Sequence, residues 1–186
     1  ISLDCESTGL KIPERDKLSL IQICGEDGEV YIIQPDRNNY KAPNLVSLLE
    51  NEKILKIGHF LRFDKSALEY FLKCKLRNIF CTKIASKIIR TYDSNHGLKD
   101  LVREFCNKSL DKRYGSSDWN KDIEELSDKQ LEYAANDVIY LHKIKSELEK
   151  MLIREKRMEI FKKCLIFLDT RVALDQYGFK FDIFEH

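Results

Sequence analysis

Long apolar runs are missing from this sequence of 186 residues, because none approaches the roughly 20 residues that a membrane-spanning helix requires. No signal peptide is visible, and we expect no membrane partner. An excess of one charge is missing too: 32 lysines and arginines face 31 aspartates and glutamates, a net charge of +1. That balance argues against a protein that coats long nucleic acid, which usually needs a basic stripe. It does not exclude an enzyme acting on short nucleic acid, since bound divalent cations neutralise an acidic site locally.

Closely spaced cysteine pairs are also missing. None of the six cysteines belongs to a C-x-x-C motif, which argues against a zinc site. A domain of this size with its own core rarely needs disulfides. We therefore predict free thiols in a reducing cytoplasm. The cysteines are Cys5, Cys24, Cys74, Cys81, Cys106 and Cys164.

The length and composition are those of one globular domain. Hydrophobic residues make up 43% of the chain and charged residues 34%, and no internal repeat or low-complexity stretch interrupts it. We therefore expect residues 1–186 to form a single domain. The chain opens with Ile1, directly in an apolar run, and we expect that it lacks a short natural N-terminal segment.

The order of apolar patterns predicts a mixed α/β layered domain. Five strands are predicted, with a hairpin turn at 25–28 between the second and third. The predicted strands are 1–3, 18–24, 30–33, 53–57 and 77–81. Helical spacing follows at 45–49, 63–72, 82–89 and 97–106. One long helix from Ser127 to roughly Met158 completes the pattern, and Ser127 with Gln130 forms an S-x-x-Q capping box at its start. No element is predicted after it.

Two acids lie close to the first strand. Asp4 and Glu6 are two residues apart, and the period of two in a strand puts both carboxylates on one face. Hard oxygen ligands of this kind suit Mg²⁺ or Mn²⁺. Taken alone, such a pair is usually no more than a solvated strand end.

A third acid, Asp64, follows the fourth strand and lies near the start of a helix. An ordinary first-turn aspartate, favoured by the helix dipole, is the competing interpretation. His59 and Arg62 are close in sequence, and both side chains are able to contact phosphate.

A tyrosine and a fourth acid lie on the long helix. Tyr133 and Asp137 are four residues apart and share one helix face. Taken alone, Tyr133 is typical of a half-buried aromatic whose hydroxyl lies at the rim.

Together these five residues indicate a site for two divalent cations. Crowded carboxylates repel one another and raise each other's pKa, so the ionised set is stable only with cations bound. Two metal ions about 3.5–4 Å apart clamp a phosphate for an in-line displacement. Tyr133 would orient the attacking water, because a phenol with a pKa of about 10 is a poor base at neutral pH.

The three motifs resemble the DEDD 3′→5′ exonucleases, in the tyrosine subclass that includes ribonuclease D. The last motif is Y-x-x-x-D, at Tyr133 and Asp137; the sister subclass would place a histidine at position 132, which is Glu132 here. Further segments are similar to short, single-domain ribonuclease D relatives of alphaproteobacteria. These segments are 80–86, 95–101, 116–119, 131–135 and 181–186. Cys5 and Ser7 stand where such relatives have threonine, which removes no ligand.

The resemblance implies the roles of individual residues. Asp4, Glu6, Asp64 and Asp137 would be metal ligands, and Tyr133 would orient the water. Leu10 would wedge between terminal bases, with core packing as the alternative. Candidate phosphate contacts, each with a solvated surface side chain as the alternative, are His59, Arg62, Lys83, His96 and Lys99.

The resemblance also implies a ribonuclease H-like fold, a mixed β-sheet flanked by α-helices, in a homo-oligomer that could form a ring. A ring would favour short substrates.

The leading hypothesis is a metal-dependent 3′→5′ exoribonuclease that cleaves very short RNA, down to dinucleotides, to 5′-mononucleotides. Trimming of tRNA or other structured RNA 3′ ends, or exonuclease action on DNA, stays open. A catalytically silent nucleic-acid-binding domain is a further alternative, although silent relatives usually lose an acid and this chain has all four.

Overall fold

Five strands in the described part of the chain form one mixed sheet. The structure is a computed structural model that describes residues 1–12, 14–111, 113–115, 117–179 and 181–185. Ser116 and His186, which contribute to the family resemblance, lie outside the described residues. The strands are β1 (Ser2–Ser7), β2 (Leu18–Cys24), β3 (Val30–Ile33), β4 (Lys56–Gly58) and β5 (Ile79–Cys81).

The sheet order is β3-β2-β1-β4-β5, so β1 lies at the centre. It pairs antiparallel with β2 and parallel with β4. The predicted hairpin between β2 and β3 is confirmed: the Gly28 N–H donates to the Gly25 carbonyl at 3.2 Å. Gly28 has a φ of +85°, a conformation that glycine adopts without steric cost. The first strand is longer than predicted, so Asp4 and Glu6 lie within it rather than after it.

Seven α-helices surround the sheet in the described residues. The first four match the predicted positions closely. The helices are α1 (Pro43–Glu50), α2 (Arg62–Leu72), α3 (Thr82–Ile89), α4 (Leu98–Cys106), α5 (Asp128–Ile139), α6 (Leu141–Arg154) and α7 (Met158–Gln176).

The prediction of one continuous helix from 127 to about 158 is wrong. The chain bends at Tyr140, where α5 ends and α6 begins, because the two helices cover different parts of the molecule. Helix α5 packs on β1, β2 and β3, whereas α6 packs on β4, α3 and α4. Lys156, with a φ of +56°, then separates α6 from α7, which the sequence pattern did not predict.

The capping box at the start of α5 is confirmed. The Gln130 N–H donates to Ser127 Oγ at 3.3 Å, and the Ser127 N–H donates to Gln130 Oε1 at 3.2 Å. Two backbone donors that the first helical turn leaves free are thereby satisfied. This cap fixes where α5 begins, and so which of its side chains face the sheet.

The core lies on both faces of the sheet. On one face, Leu3 and Cys5 pack with Ala67 and Leu68 of α2. On the other, Leu20 packs with Ala134 of α5. Because side chains alternate along β1, Asp4 and Glu6 face α5 rather than α2.

All six cysteines are free thiols, as predicted. Among the helices of the described residues, none combines the length and apolar character that crossing a bilayer requires.

Candidate active site

The centre of the candidate site is a group of three carboxylates from two elements. Oxygen atoms of Asp4 and Glu6 on β1 and of Asp137 on α5 all lie within 4.8 Å of one another. Asp137 is buried, while Asp4 and Glu6 are partly exposed. The strand period and the packing of α5 on β1 together produce this group.

Asp64 lies beside the three carboxylates, in the first turn of α2, but outside the group itself. Its side chain is only 4% exposed, and this burial raises its pKa from 3.8 to about 7. Hydrogen bonds from its own backbone N–H and from that of Cys5 act in the opposite direction, and the charge of Asp137 raises the pKa further. Burial therefore favours the protonated form of Asp64 well above the usual pH range of a carboxyl group.

Tyr133 lies one helical turn before Asp137, on the same face of α5. Burial raises the pKa of its phenol well above the usual value, and the charge of Asp137 and the charge of Glu6 add to this effect. The Trp119 ring packs beside it, with the ring centroids 6.2 Å apart. These effects favour the neutral phenol, which suits a hydrogen-bond donor rather than a phenolate base.

The chemistry of this donor set fits divalent cations. Each side chain offers only hard carboxylate oxygens, the kind that Mg²⁺ and Mn²⁺ prefer. The raised pKa of Asp64 shows that the fourth carboxylate is not fully compensated by cationic side chains. Asp4, Glu6, Asp64 and Asp137 are thus the residues that could hold metal ions here.

These residues open into a cleft of about 720 Å³. Its walls come from the end of β1 and the loop after it, the start of α2, the starts of α3 and α4, and the segment before α5. The lining residues outside the acids are Cys5, Ser7, Thr8, Gly9, Leu10, His59, Phe60, Phe63, Lys83, Gly97, Leu98, Lys99, Gly115, Ser117, Trp119 and Tyr133.

Leu10 lies on the rim of this cleft. Its side chain is 84% exposed, which excludes the core-packing alternative. The loop that carries it is held by the buried Asp16, whose carboxylate accepts a hydrogen bond from the Lys11 N–H at 2.8 Å and another from Arg15 Nε at 2.7 Å. An exposed leucine on a tethered loop is therefore available to an apolar ligand surface.

Three predicted phosphate contacts also line the cleft. His59 Nδ1 lies 2.9 Å from Thr82 Oγ1, which fixes the orientation of its ring. Lys83 Nζ lies over the Phe60 ring, 4.4 Å from its centroid. Lys99 is exposed in the first turn of α4.

The other two candidates are turned away from the acids. Arg62 forms a bidentate ion pair with Asp175 of α7, with both N–O distances 2.6 Å. It lines a neighbouring depression of about 450 Å³ rather than the main cleft. His96 lies outside the main cleft, with Nδ1 2.9 Å from Ser86 Oγ; burial, followed by the positive charge of Arg90, lowers its pKa.

Sequence reasoning missed two aromatic residues of this cleft. Trp119 is 3% exposed and packs beside Tyr133. It is the sole tryptophan of the chain and lies in a polar segment, and this sequence feature could have indicated a functional role. Phe60 has a φ of +65°, a strained conformation for a bulky residue, and no sequence signal announces it. Strained backbone of this kind clusters at functional sites. Here it places the exposed Phe60 ring between the main cleft and the neighbouring depression.

Comparisons with known proteins show the family of this chain. The family model described as 3′-5′ exonuclease matches residues 1–153. DNA polymerase I of Aquifex aeolicus is 36% identical over 154 residues, covering 81% of this chain and 24% of that protein. Ribonuclease D of Bartonella henselae is 32% identical over 141 residues, covering 76% of this chain and 34% of that protein. The chain thus spans only about a quarter to a third of the length of these curated relatives.

Solved structures resemble the chain over its whole length. NrnC of Brucella melitensis bound to pGG has a TM-score of 0.93 at 45% identity, covering 100% of this chain and 89% of that one. The same protein with bound Mg²⁺ has a TM-score of 0.91. The expected ribonuclease H-like fold, a mixed sheet flanked by helices, is confirmed.

Proposed function

The chain belongs to the 3′-5′ exonuclease family, and from this premise we propose that it is a metal-dependent exoribonuclease that cleaves very short RNA from the 3′ end. Dinucleotides are the proposed preferred substrate and 5′-mononucleotides the product. The observation that carries the proposal is the group of Asp4, Glu6 and Asp137 oxygens within 4.8 Å of one another, with Tyr133 beside it. NrnC, which is similar over the whole chain, was solved with pGG and with Mg²⁺, and this supports both the substrate class and the metal.

In this proposal Asp4, Glu6, Asp64 and Asp137 hold two divalent ions, Mg²⁺ or Mn²⁺. Such ions supply a nucleophile at neutral pH and stabilise the negative charge that develops on the phosphate. Tyr133 keeps its proton and donates a hydrogen bond from its hydroxyl, which orients the attacking water. Burial of Asp64 and Asp137 excludes bulk water from the inner side of the site, so the electrostatic interactions there are strengthened.

The remaining cleft residues would bind the substrate. Leu10 and Phe60 offer exposed apolar surface on the rim, which suits stacking against bases. His59, Lys83 and Lys99 are the proposed phosphate contacts because they line the same cleft as the acids. The net charge of +1 supports a short substrate, since long RNA usually requires a basic surface.

Residues 1–186 would act as one exonuclease domain located in the cytoplasm. Helix α7 lies beyond the part matched by the family model, yet its end is tied to the start of α2 through Asp175 and Arg62, which supports a single unit. Six free thiols support a reducing compartment.

We also propose that the chain forms a homo-oligomer, in the form of a ring. Exposed apolar side chains on α7 and in the segment after it support an interface with a second copy. The most exposed of these are Ile166, Tyr177 and Phe184. Light scattering on the purified protein would show a monomer if this proposal is wrong.

The activity is tested with two 5′-labelled RNAs, a dinucleotide and a strand of about 20 nucleotides, in Mn²⁺ or Mg²⁺. The dinucleotide should disappear much faster, and the Asp4→Ala control should lose at least about 10³-fold in rate, or about 4 kcal/mol of transition-state stabilisation. Stepwise trimming of the long RNA while the dinucleotide persists would favour the processing of structured RNA ends. Faster loss of a matched DNA dinucleotide would make the enzyme a deoxyribonuclease, and near-normal activity of Asp4→Ala would refute the acid assignment.

A further inference from the structure

Gln22 is a buried polar residue that the proposed mechanism does not use. It lies in the middle of β2, where it is completely buried. Within the described residues, neither its amide Nε2 nor its amide Oε1 has a hydrogen-bond partner. Buried side-chain amides are nearly always hydrogen-bonded, so an amide with both ends unsatisfied calls for an explanation.

The position of Gln22 in the sheet points to one neighbour. In the antiparallel pairing of β1 with β2, Gln22 lies directly opposite Asp4. Side chains of directly opposed residues project from the same face, with Cβ atoms about 4.5–5.5 Å apart. A glutamine side chain is longer than that separation, so its amide can reach the Asp4 carboxylate.

The other neighbours of Gln22 on this face offer few hydrogen-bonding groups to its amide. Its partner on β3 is Ile32, and the next β2 residue on the same face is Leu20. The Ser2 hydroxyl, on the same face of β1, already donates to the Val138 carbonyl at 2.8 Å. Helix α5 closes this face with the buried Ala134 and Val138. Asp4 is therefore the polar side chain that Gln22 faces most directly.

We propose that Gln22 is a positioning residue for Asp4. When cations occupy the acidic group, the Gln22 amide donates a hydrogen bond to one Asp4 oxygen and so turns the other oxygen toward the metal. Ligating carboxylates are commonly held in this way by a second residue behind them. This hydrogen bond would account for a buried amide that has no partner within the described residues. This role rests on the metal site of the proposed function.

The test replaces Gln22 by methionine, which has nearly the same shape and no amide. Calorimetric titration with Mn²⁺ alone should show an affinity about 10- to 100-fold below that of the wild-type protein. Thermal unfolding of the metal-free variant should give an equal or higher midpoint, because an unsatisfied amide has left the core. A merely structural role of Gln22 would lower the midpoint instead.

Ser19→Ala is the matched control. Ser19 is buried on the same strand, and its hydroxyl also has no partner within the described residues. It has no acid opposite, because the flanking β1 residues Glu6 and Ser7 pair with Leu20 and Leu18. Its Mn²⁺ affinity should equal that of the wild-type protein. Gln22→Asn keeps an amide on a side chain that is one methylene shorter. Its Mn²⁺ affinity should fall like that of Gln22→Met, and it replaces Gln22→Met in the test if the methionine variant does not fold.

Wild-type Mn²⁺ affinity in both Gln22 variants would overturn the role of Gln22 and leave the metal site intact. Loss of affinity in Ser19→Ala to the same extent would overturn it as well, because any polar residue of β2 would then matter equally. If the wild-type protein takes up no Mn²⁺, the metal site of the proposed function fails and the role of Gln22 falls with it.

Discussion

Replacement of Asp64 by asparagine should stabilise the metal-free protein at alkaline pH, although it removes a proposed metal ligand. The folded protein holds a proton on Asp64 up to about pH 7, whereas the unfolded chain releases it near pH 3.8. Between these values the folded state binds more protons than the unfolded state, so the free energy of unfolding falls as the pH rises. Asparagine does not titrate and should abolish this contribution.

The magnitude follows from the position of the pKa. One pH unit is worth about 1.4 kcal/mol while the folded protein is protonated and the unfolded chain is not. From pH 5 to pH 8, Asp64 should therefore cost the wild-type protein about 2–3 kcal/mol of unfolding free energy. For a chain of this length that corresponds to roughly 5–10 °C in the thermal midpoint. The amide oxygen of asparagine still accepts the hydrogen bond from the Cys5 N–H, so packing should be preserved.

The assay is thermal or urea unfolding with a chelator at pH 5, 6, 7 and 8, on the wild-type protein and Asp64→Asn in parallel. Titrating groups far from Asp64 are common to both proteins, so the difference between the two curves reports Asp64 together with its interaction with Asp137. The difference should grow in favour of Asp64→Asn as the pH rises, and excess Mn²⁺ should reverse it by stabilising the wild-type protein alone. Parallel curves from pH 5 to pH 8 would refute the raised pKa and the account of burial behind it.

Two further predictions concern residues around the acids. Tyr133→Phe should lower kcat by about 10²-fold, because the hydroxyl that orients the water is lost, while Mn²⁺ affinity measured by calorimetry stays unchanged; an unchanged kcat would exclude the role. Arg62→Met should lower the free energy of unfolding by about 1 kcal/mol, because it breaks a partly exposed ion pair with Asp175. Asp175→Asn should lower it at least as much, because Asp175 also pairs with Arg171. A rise in KM for the dinucleotide in Arg62→Met alone would instead show that Arg62 contacts phosphate.

Local pattern was sufficient for much of the secondary structure. Strands β2 and β3, the hairpin turn and helix α3 lie where apolar alternation and helical spacing put them. The capping box correctly located the start of α5. The end of that helix was not predictable, because the bend at Tyr140 arises from packing on two different partners and leaves no Gly or Pro in the sequence. Helix α7 was missed for a related reason: its apolar residues do not form one stripe, since several of them stay exposed.

The candidate site shows the same division. Strand period and helix period placed Asp4 beside Glu6 and Tyr133 beside Asp137, because these relations span a few residues only. The orientations of the Arg62 and His96 side chains depend on contacts between distant parts of the chain, which local sequence patterns do not predict. Arg62 forms an ion pair with Asp175, which lies 113 positions further along the chain. His96 contacts Ser86 and Arg90, and these contacts hold its ring outside the cleft.

By itself, the sequence determined the acidic motifs and the faces on which their side chains lie, because short-range periodicity and residue chemistry are sufficient for these. The family was indicated by the resemblance of those motifs to known exonucleases. Only the tertiary structure decided that Asp64 is buried deeply enough for its pKa to be raised, that Leu10 stands exposed on the rim, and that Gln22 faces Asp4 with no hydrogen-bond partner among the residues that the structure describes. Burial and long-range pairing depend on how strands and helices distant in the sequence are packed together, and these contacts form only in the folded chain.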